Sequence, residues 1–327
     1  MDGDQPIRIH WMGSLNQQIV HYQGFMDFKF TDTKINDNLF RRVINKDTLY
    51  IQNGEIILKE KQLPAKAFKV GKVENKISEL NSFCTFDIET VSINNVQSPY
   101  LICAYYGDFM GGNYIHSFAS DLSEVSQEAM FNSFIKQLVD LKNIKYAYAH
   151  NLSGFDGILL LKYLIAYEGA NVKPLIFNGK LMAIRFKLND RIIIFKDSFL
   201  LLPQSLRKLC ASFNVPTIKT HFPFLLTDIN YNGHFPDYNL FNDLSRAEYD
   251  QLEDNFYANS KTWNFKEEAL AYCKIDCKSL FQVLCRFNEL VYSEFKVNIN
   301  ASYTLPSLAM RIYKTPPKKL VRIISNS

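Results

Sequence analysis

From about residue 82 the chain alternates short apolar runs with longer periodic stretches, and the two periods separate strands from helices. Phe83–Thr90 (FCTFDIET) is an apolar run ending in two acids, which predicts a buried strand. Tyr100–Asp108 and Asn113–Phe118 predict further strands, joined through a Gly111-Gly112 turn. Phe131, Phe134, Ile135 and Leu138 recur at helical spacing within Leu122–Leu141. Lys145–Ala149 predicts another strand, and the segment HNLSGFDG after it opens a helix running to about Tyr167. Leu181–Leu188 and Arg191–Lys196 predict a hairpin around Asn189-Asp190. Leu202–Phe213 predicts a helix with Pro203 in its first turn. Residues 217–263 predict an irregular insertion with one helix near Ser245–Phe256, and Phe265–Val291 predicts a long helix with Glu267 and Glu268 at its positive end. Strands mixed with helices, and acids at strand ends, indicate an α/β domain on a mixed sheet. Upstream, residues 1–80 hold only short β-like runs (Thr48–Ile51, Glu55–Leu58, Phe68–Val73) between charged turns, so a small β-rich N-terminal region is expected there.

Composition narrows the class. Of the 327 residues, 47% are hydrophobic and 21% charged, enough for a real core and too ordered a mixture for a disordered or collagen-like chain. The net charge of +4 permits a nucleic-acid partner without arguing for one, because binding depends on local basic patches. Six scattered cysteines (84, 103, 210, 273, 277, 285) include no CxxC pair, which points to reduced thiols in a protein that is not secreted. No apolar run approaches the roughly 18 residues of a membrane span. The first residues, MDGDQPIRIH, show neither a secretory nor a transit signal.

Three short segments carry the chemistry. In Asp87-Ile-Glu89-Thr90 the two acids stand at i and i+2 of a strand, so they share one side while Ile88 faces the opposite core. Two carboxylates on one face repel unless a cation lies between them, and hard divalent ions favour such oxygen ligands. A solvated strand end is the plain alternative, but the buried FCTF run in front of it weighs against that. The second segment is His150-Asn151-Leu152-Ser153-Gly154-Phe155-Asp156-Gly157, where Asn151 or Ser153 could simply be a helix N-cap. The third is Tyr272-Cys-Lys-Ile-Asp276, which sets a phenol and a carboxylate side by side at i and i+4 of a helix. Cys273 and Cys277 share that spacing, but without further Cys or His at ligand spacing nearby they do not make a zinc site.

Together the segments give four carboxylates in DxE…D…D order, with a tyrosine four residues before the last. This order resembles the DEDD exonucleases with Tyr in the third motif, which have a ribonuclease H-like fold. Within that group it is similar to the proofreading region of family B DNA polymerases. HNLSGFDG, DSFLLLP and KTHFP look like the protein-primed branch of linear organellar plasmids and certain viruses, over roughly residues 82–315.

The resemblance implies a metal-dependent 3′→5′ exonuclease acting on the 3′ end of single-stranded DNA, releasing 5′-mononucleotides with two Mg²⁺ or Mn²⁺ ions. It makes Asp87, Glu89 and Asp276 metal ligands, with Asp156 supporting the second ion. Two cations about 4 Å apart can clamp the attacking and leaving oxygens of an in-line displacement. Tyr272 would orient the attacking water, and Lys219 of KTHF would neutralise phosphate charge. Thr90, Asn151 and Phe155 match positions that hold the DNA strand. Ser198-Phe199 matches a primer-binding motif, although Phe stands where Leu is usual and Ser205-Leu206-Arg207 fits that pattern literally. The domain plan expected is a β-rich region (1–80), a ribonuclease H-like exonuclease (81–300) and a basic tail (301–327) at the start of a polymerase domain; the resemblance adds a terminal protein primer as a second partner.

DxxSLYP, KxxxNSxYG and YxDTDS do not occur in these residues, and Phe30-Thr-Asp32-Thr resembles the last only superficially. Nucleotide addition is therefore not expected of this stretch. The alternatives are an idle DNA- or terminal-protein-binding remnant and a free-standing nuclease acting on RNA. Location follows lineage: mitochondrial if encoded on an organellar plasmid or genome, otherwise cytoplasmic.

Overall fold

The computed structural model describes residues 30–36, 39–44, 47–53, 55–61, 82–216, 221–242, 244–259 and 262–314. The chain divides into two compact units, Met1–Val70 and Gly71–Ser327. In the first, β1 (Phe30–Asn36), β2 (Leu39–Ile44), β3 (Asp47–Gln52) and β4 (Glu55–Lys61) form an antiparallel meander. Asn53, at φ 51°, turns the chain after β3, as Asn does readily in the left-handed region. Thr48–Ile51 and Glu55–Leu58 fall within β3 and β4, and Phe30–Thr33 opens β1. Phe68–Val73 lies outside the described residues.

The second unit opens with β5 (Phe83–Ile93), β6 (Val96–Tyr106) and β7 (Asn113–Phe118). Helix α1 (Glu124–Asp140), β8 (Tyr146–Ala149), α2 (Asp156–Ala166) and the meander β9 (Ala170–Phe177), β10 (Lys180–Leu188) and β11 (Arg191–Asp197) follow. Next come α3 (Leu206–Ser212), β12 (Asn232–Gly233), α4 (Arg246–Asn259), β13 (Trp263–Asn264), α5 (Phe265–Phe295) and α6 (Leu305–Lys314). Seven strands make one mixed sheet in the order β7-β6-β5-β8-β11-β10-β9, with β8 parallel to both neighbours and every other pairing antiparallel.

Strand alternation gives the sheet two apolar faces. Phe86, Ile88, Ile102 and Ala104 pack with Phe131, Phe134 and Leu138 of α1 and Leu160 and Leu164 of α2. Phe83, Leu101, Cys103 and Tyr105 pack on the opposite face with Cys273, Cys277, Phe281 and Leu284 of α5. Lys196 of β11 lies buried among the rings of Tyr146, Tyr148 and Tyr303 and donates to the carbonyls of Asn300 (2.9 Å) and Ser302 (2.5 Å). Burial pulls its ammonium down to about 7. This lysine ties the segment before α6 to the sheet.

Several elements differ from the sequence expectation. β5 and β6 run on to a two-residue turn at Asn94 (φ 51°) and Asn95 (φ 63°), longer than the runs ending at Thr90 and starting at Tyr100. β9 has no counterpart in the sequence expectation, because its side chains are largely exposed and Pro174 interrupts the strand signal. α3 starts at Leu206 and not near Pro203, because the amides of Leu201 and Leu202 turn back to Ser198 O before the helix begins.

Candidate active site

The acidic pair sits where β5 changes its pairing. β8 pairs with β5 only from Phe83 to Thr85, so beyond Thr85 the strand loses that neighbour. On the other side the register with β6 shifts between Glu89 and Thr90, a bulge that bends the strand beside its two acids. Asp87 and Glu89 therefore project from the face that α5 covers, and Ile88 enters the opposite core.

Helix α5 carries the matching groups. Asn264 caps its start by accepting from the Glu267 amide at 3.1 Å. Thr85 Oγ1 donates to Cys277 O at 2.6 Å, which fixes the helix against β5. One turn of this helix presents Tyr272 and Asp276. The phenol of Tyr272 is hydrogen-bonded to Asp276, and its ring packs edge-on against Phe224 and obliquely against Phe222, both 5.5 Å away. Burial, then the charges of Asp276, Glu89 and Asp87, raise the Tyr272 phenol well above its ordinary value, so it stays protonated and donates.

Asp156 is the first residue of α2 and only 2% exposed. Its Oδ1 accepts the Ile88 amide at 3.1 Å, taking the place β8 has vacated and setting this carboxylate beside Asp87. Burial, then the charge of Asp87, raises the Asp156 carboxyl well above the usual carboxylate range. Across the window between its unfolded and folded values the folded state binds the extra proton, so this group's contribution to stability falls as pH rises. Asp156→Asn keeps an acceptor for the Ile88 amide and removes the charge. It is expected to raise the melting temperature of the chelator-treated protein at neutral pH by a few degrees, with little change at acid pH; a lower melting temperature at neutral pH would contradict this placement.

Asp197, at the end of β11, organises the loop before α2 and is the functional residue that sequence reasoning missed. It is 1% exposed and accepts the amides of Asn151 (3.1 Å), Ser153 (2.9 Å) and Phe199 (2.8 Å), together with the Ser153 hydroxyl. Asn151 stands at φ 75°, and a Cβ at Gly154 would come within 2.7 Å of its side chain. Neither Asn151 nor Ser153 is the N-cap of α2: that position is Phe155, with no side-chain cap bond. The signal was the acid next to Ser198 in DSFLLLP, legible only once β8 and β11 are known to be neighbours with Ala149 opposite Asp197.

Asp87, Glu89, Tyr272 and Asp276 line one cleft of about 730 Å³, and Thr90, Asn151, Phe155 and Phe199 also border it. Thr90 Oγ1 donates to Gln97 Oε1 at 2.8 Å on the lip. Ser198, matched to a primer-binding motif, is not among the residues that border the cleft. Ser198 is fully buried, donating to Ala149 O (3.0 Å) and bonding to His150 Nδ1 (3.0 Å), so it reaches the cleft only through His150. Ser205 and Leu206, the literal match to the same motif, border the cleft directly. Asp156 approaches from below through Ile88, and Lys219 lies outside the described residues.

The family described as DNA polymerase type B, organellar and viral, matches residues 137–325. The chain belongs to this family. This polymerase-family chain is 30% identical over 328 residues to a probable DNA polymerase of Neurospora intermedia, covering 88% of the chain and 33% of that protein. It is 29% identical over 323 residues to a probable DNA polymerase of Ascobolus immersus, covering 90% and 26%. It thus spans a third or less of the length of these relatives. Among solved structures, Phi29 DNA polymerase complexed with single-stranded DNA aligns with 70% of the chain and 34% of its own, at 14% identity and a TM-score of 0.42. Asp156, Tyr272 and Asp276 of the polymerase-family chain lie inside the matched segment, and Asp87 and Glu89 precede it. Among the described residues no helix is long and apolar enough to cross a membrane.

Proposed function

We propose that this chain is the metal-dependent 3′→5′ exonuclease part of a protein-primed type B DNA polymerase, hydrolysing single-stranded 3′ ends to 5′-mononucleotides. The observation that carries this reading is the convergence of Asp87, Glu89, Tyr272 and Asp276 in one cleft, with Asp156 against the same strand. The donor set fits divalent cations. Oxygens of Asp87 and Glu89 lie within 4.8 Å of each other and of the Cys273 sulfur, and carboxylate oxygens suit Mg²⁺ or Mn²⁺.

Asp87, Glu89 and Asp276 hold the cations in this reading, and Asp156 supports them from the α2 side. Bound cations supply a lower pKa for the attacking water and charge compensation at the departing 3′ oxygen. Tyr272, protonated and hydrogen-bonded to Asp276, positions that water and does not remove its proton. Phe155 and Phe199 offer ring faces for bases at the mouth, and Thr90, Asn151 and Ser205 offer polar contacts to the backbone. Lys219 would meet a phosphate, and a terminal protein primer would be the second macromolecular partner of the full-length polymerase.

Tyr272→Phe keeps the ring packing against Phe222 and Phe224 and loses the hydroxyl. It is expected to slow cleavage by about tenfold to a hundredfold, the equivalent of one or two hydrogen bonds to water, with the affinity for DNA unchanged. Single-turnover rates and filter binding on the same oligonucleotide check it; an unchanged rate would remove Tyr272 from the reaction.

The reading itself is tested by presenting matched single-stranded DNA and RNA, 3′-labelled, with Mg²⁺, Mn²⁺ or chelator. Metal-dependent release of labelled mononucleotide, faster from DNA, supports it. Faster release from RNA would make the chain an RNA nuclease, and tight binding without release would make it a binding module.

A further inference from the structure

The sheet supplies what the helical cysteine pair lacked. Cys103 stands directly opposite Asp87 in the β5–β6 register, on the face that α5 covers. Cys273 and Cys277 meet it from successive turns of α5. The three Sγ atoms lie within 4.8 Å of one another, and the residues are between 0% and 1% exposed. Weak bonds to carbonyls orient the thiols: Cys103 Sγ toward Ala104 O (4.0 Å), Cys273 Sγ toward Asp87 O (3.8 Å) and Cys277 Sγ toward Cys103 O (3.3 Å). None of the three has a part in the hydrolysis described above.

Buried cysteines often serve as small apolar side chains. Here three converge from a strand and a helix onto one point. A zinc–sulfur bond of about 2.3 Å sets the sulfurs of a closed site about 3.8–4.0 Å apart, so this triad needs to contract by no more than about 1 Å. Soft sulfur discriminates against Mg²⁺ and Mn²⁺, the ions that the neighbouring carboxylates suit. Cys277 also borders the 730 Å³ cleft, which gives a cation a way in. Asp87 and Glu89 group with Cys273 separately from the triad, so water is the fourth ligand of a tetrahedral cation here.

We infer that Cys103, Cys273 and Cys277 form a binding site for a thiophilic divalent cation of the Zn²⁺ and Cd²⁺ class, behind the carboxylate cluster. On binding, each sulfur loses its proton to solvent and forms one bond to the cation. The inference does not rest on the nuclease reading, since the thiols converge whatever the carboxylates do. A cation here draws the third and fourth turns of α5 against β6, next to Tyr272.

The test is a Cd²⁺ titration of the full chain under excess Mg²⁺, read by the near-ultraviolet sulfur-to-cadmium charge-transfer band. A band saturating at one equivalent is expected, lost in Cys103→Ala and kept in Cys210→Ala, whose sulfur lies outside the triad. The ¹¹³Cd resonance of the unmutated chain gives an independent answer should Cys103→Ala fail to fold, and a shift typical of several sulfur ligands is expected. Absence of a saturable band, a band unchanged in folded Cys103→Ala, or a shift typical of oxygen ligands would overturn the inference.

Discussion

Replacing Asp87 and Glu89 together by alanine is expected to reduce metal-dependent cleavage of single-stranded DNA by at least about a thousandfold, a loss of roughly 4 kcal/mol in transition-state stabilisation. Affinity for the same DNA should hold or rise. Without cations these acids repel phosphate, so their removal takes away an unfavourable charge in the cleft. The variant is also expected to fold, since Asp87 is one of the charges that push the buried Asp156 carboxyl upward, and its loss relieves that strain. Single-turnover cleavage and binding on one oligonucleotide separate the two effects. A rate within tenfold of the unmutated chain, or binding that disappears along with cleavage, would contradict the assignment of these acids.

Asp197→Asn is expected to cost about 2–4 kcal/mol of stability, although it changes the side chain by one atom in shape. Both oxygens of Asp197 are committed: Oδ1 to the amides of Asn151 and Phe199, Oδ2 to the amide and hydroxyl of Ser153. An asparagine turns one of them into a donor facing the Ser153 amide, which leaves buried groups unpaired in a low-dielectric setting. Chemical denaturation gives the magnitude. Cleavage should fall as well, because the same four bonds hold Asn151 at its left-handed conformation and bring Asn151 and Phe155 to the cleft. Denaturation within about 0.5 kcal/mol of the unmutated chain would show that the loop is held by other contacts.

What was legible in the sequence depended on how local each feature is. Two carboxylates at i and i+2 share a side in any strand, and a Tyr–Asp pair at i and i+4 shares a face in any helix, so the relation within each pair needed no tertiary information. β7 and α5 also read well, because Asn113–Phe118 follows the Gly111-Gly112 turn and Phe265 onward keeps a helical period with Glu267 and Glu268 at its positive end. Features that depend on distant partners did not read. Asp197 has a purpose only because β11 lies parallel to β8, and the Cys273–Cys277 pair gains Cys103 only because α5 crosses β6 at that height. Ser198 and Ser205 both fitted one motif, and only burial tells them apart. β9 failed for another reason: a largely exposed strand broken by Pro174 carries almost no alternation to read.

The cleft is proposed to hydrolyse single-stranded DNA from its 3′ end. The measurement is single-turnover release from a 3′-labelled single-stranded oligonucleotide by the unmutated chain, in Mg²⁺ and in chelator. The expected result is labelled 5′-mononucleotide as the first product, formed in Mg²⁺ and absent in chelator. A chain that binds the oligonucleotide yet releases nothing in Mg²⁺ or Mn²⁺ would contradict it.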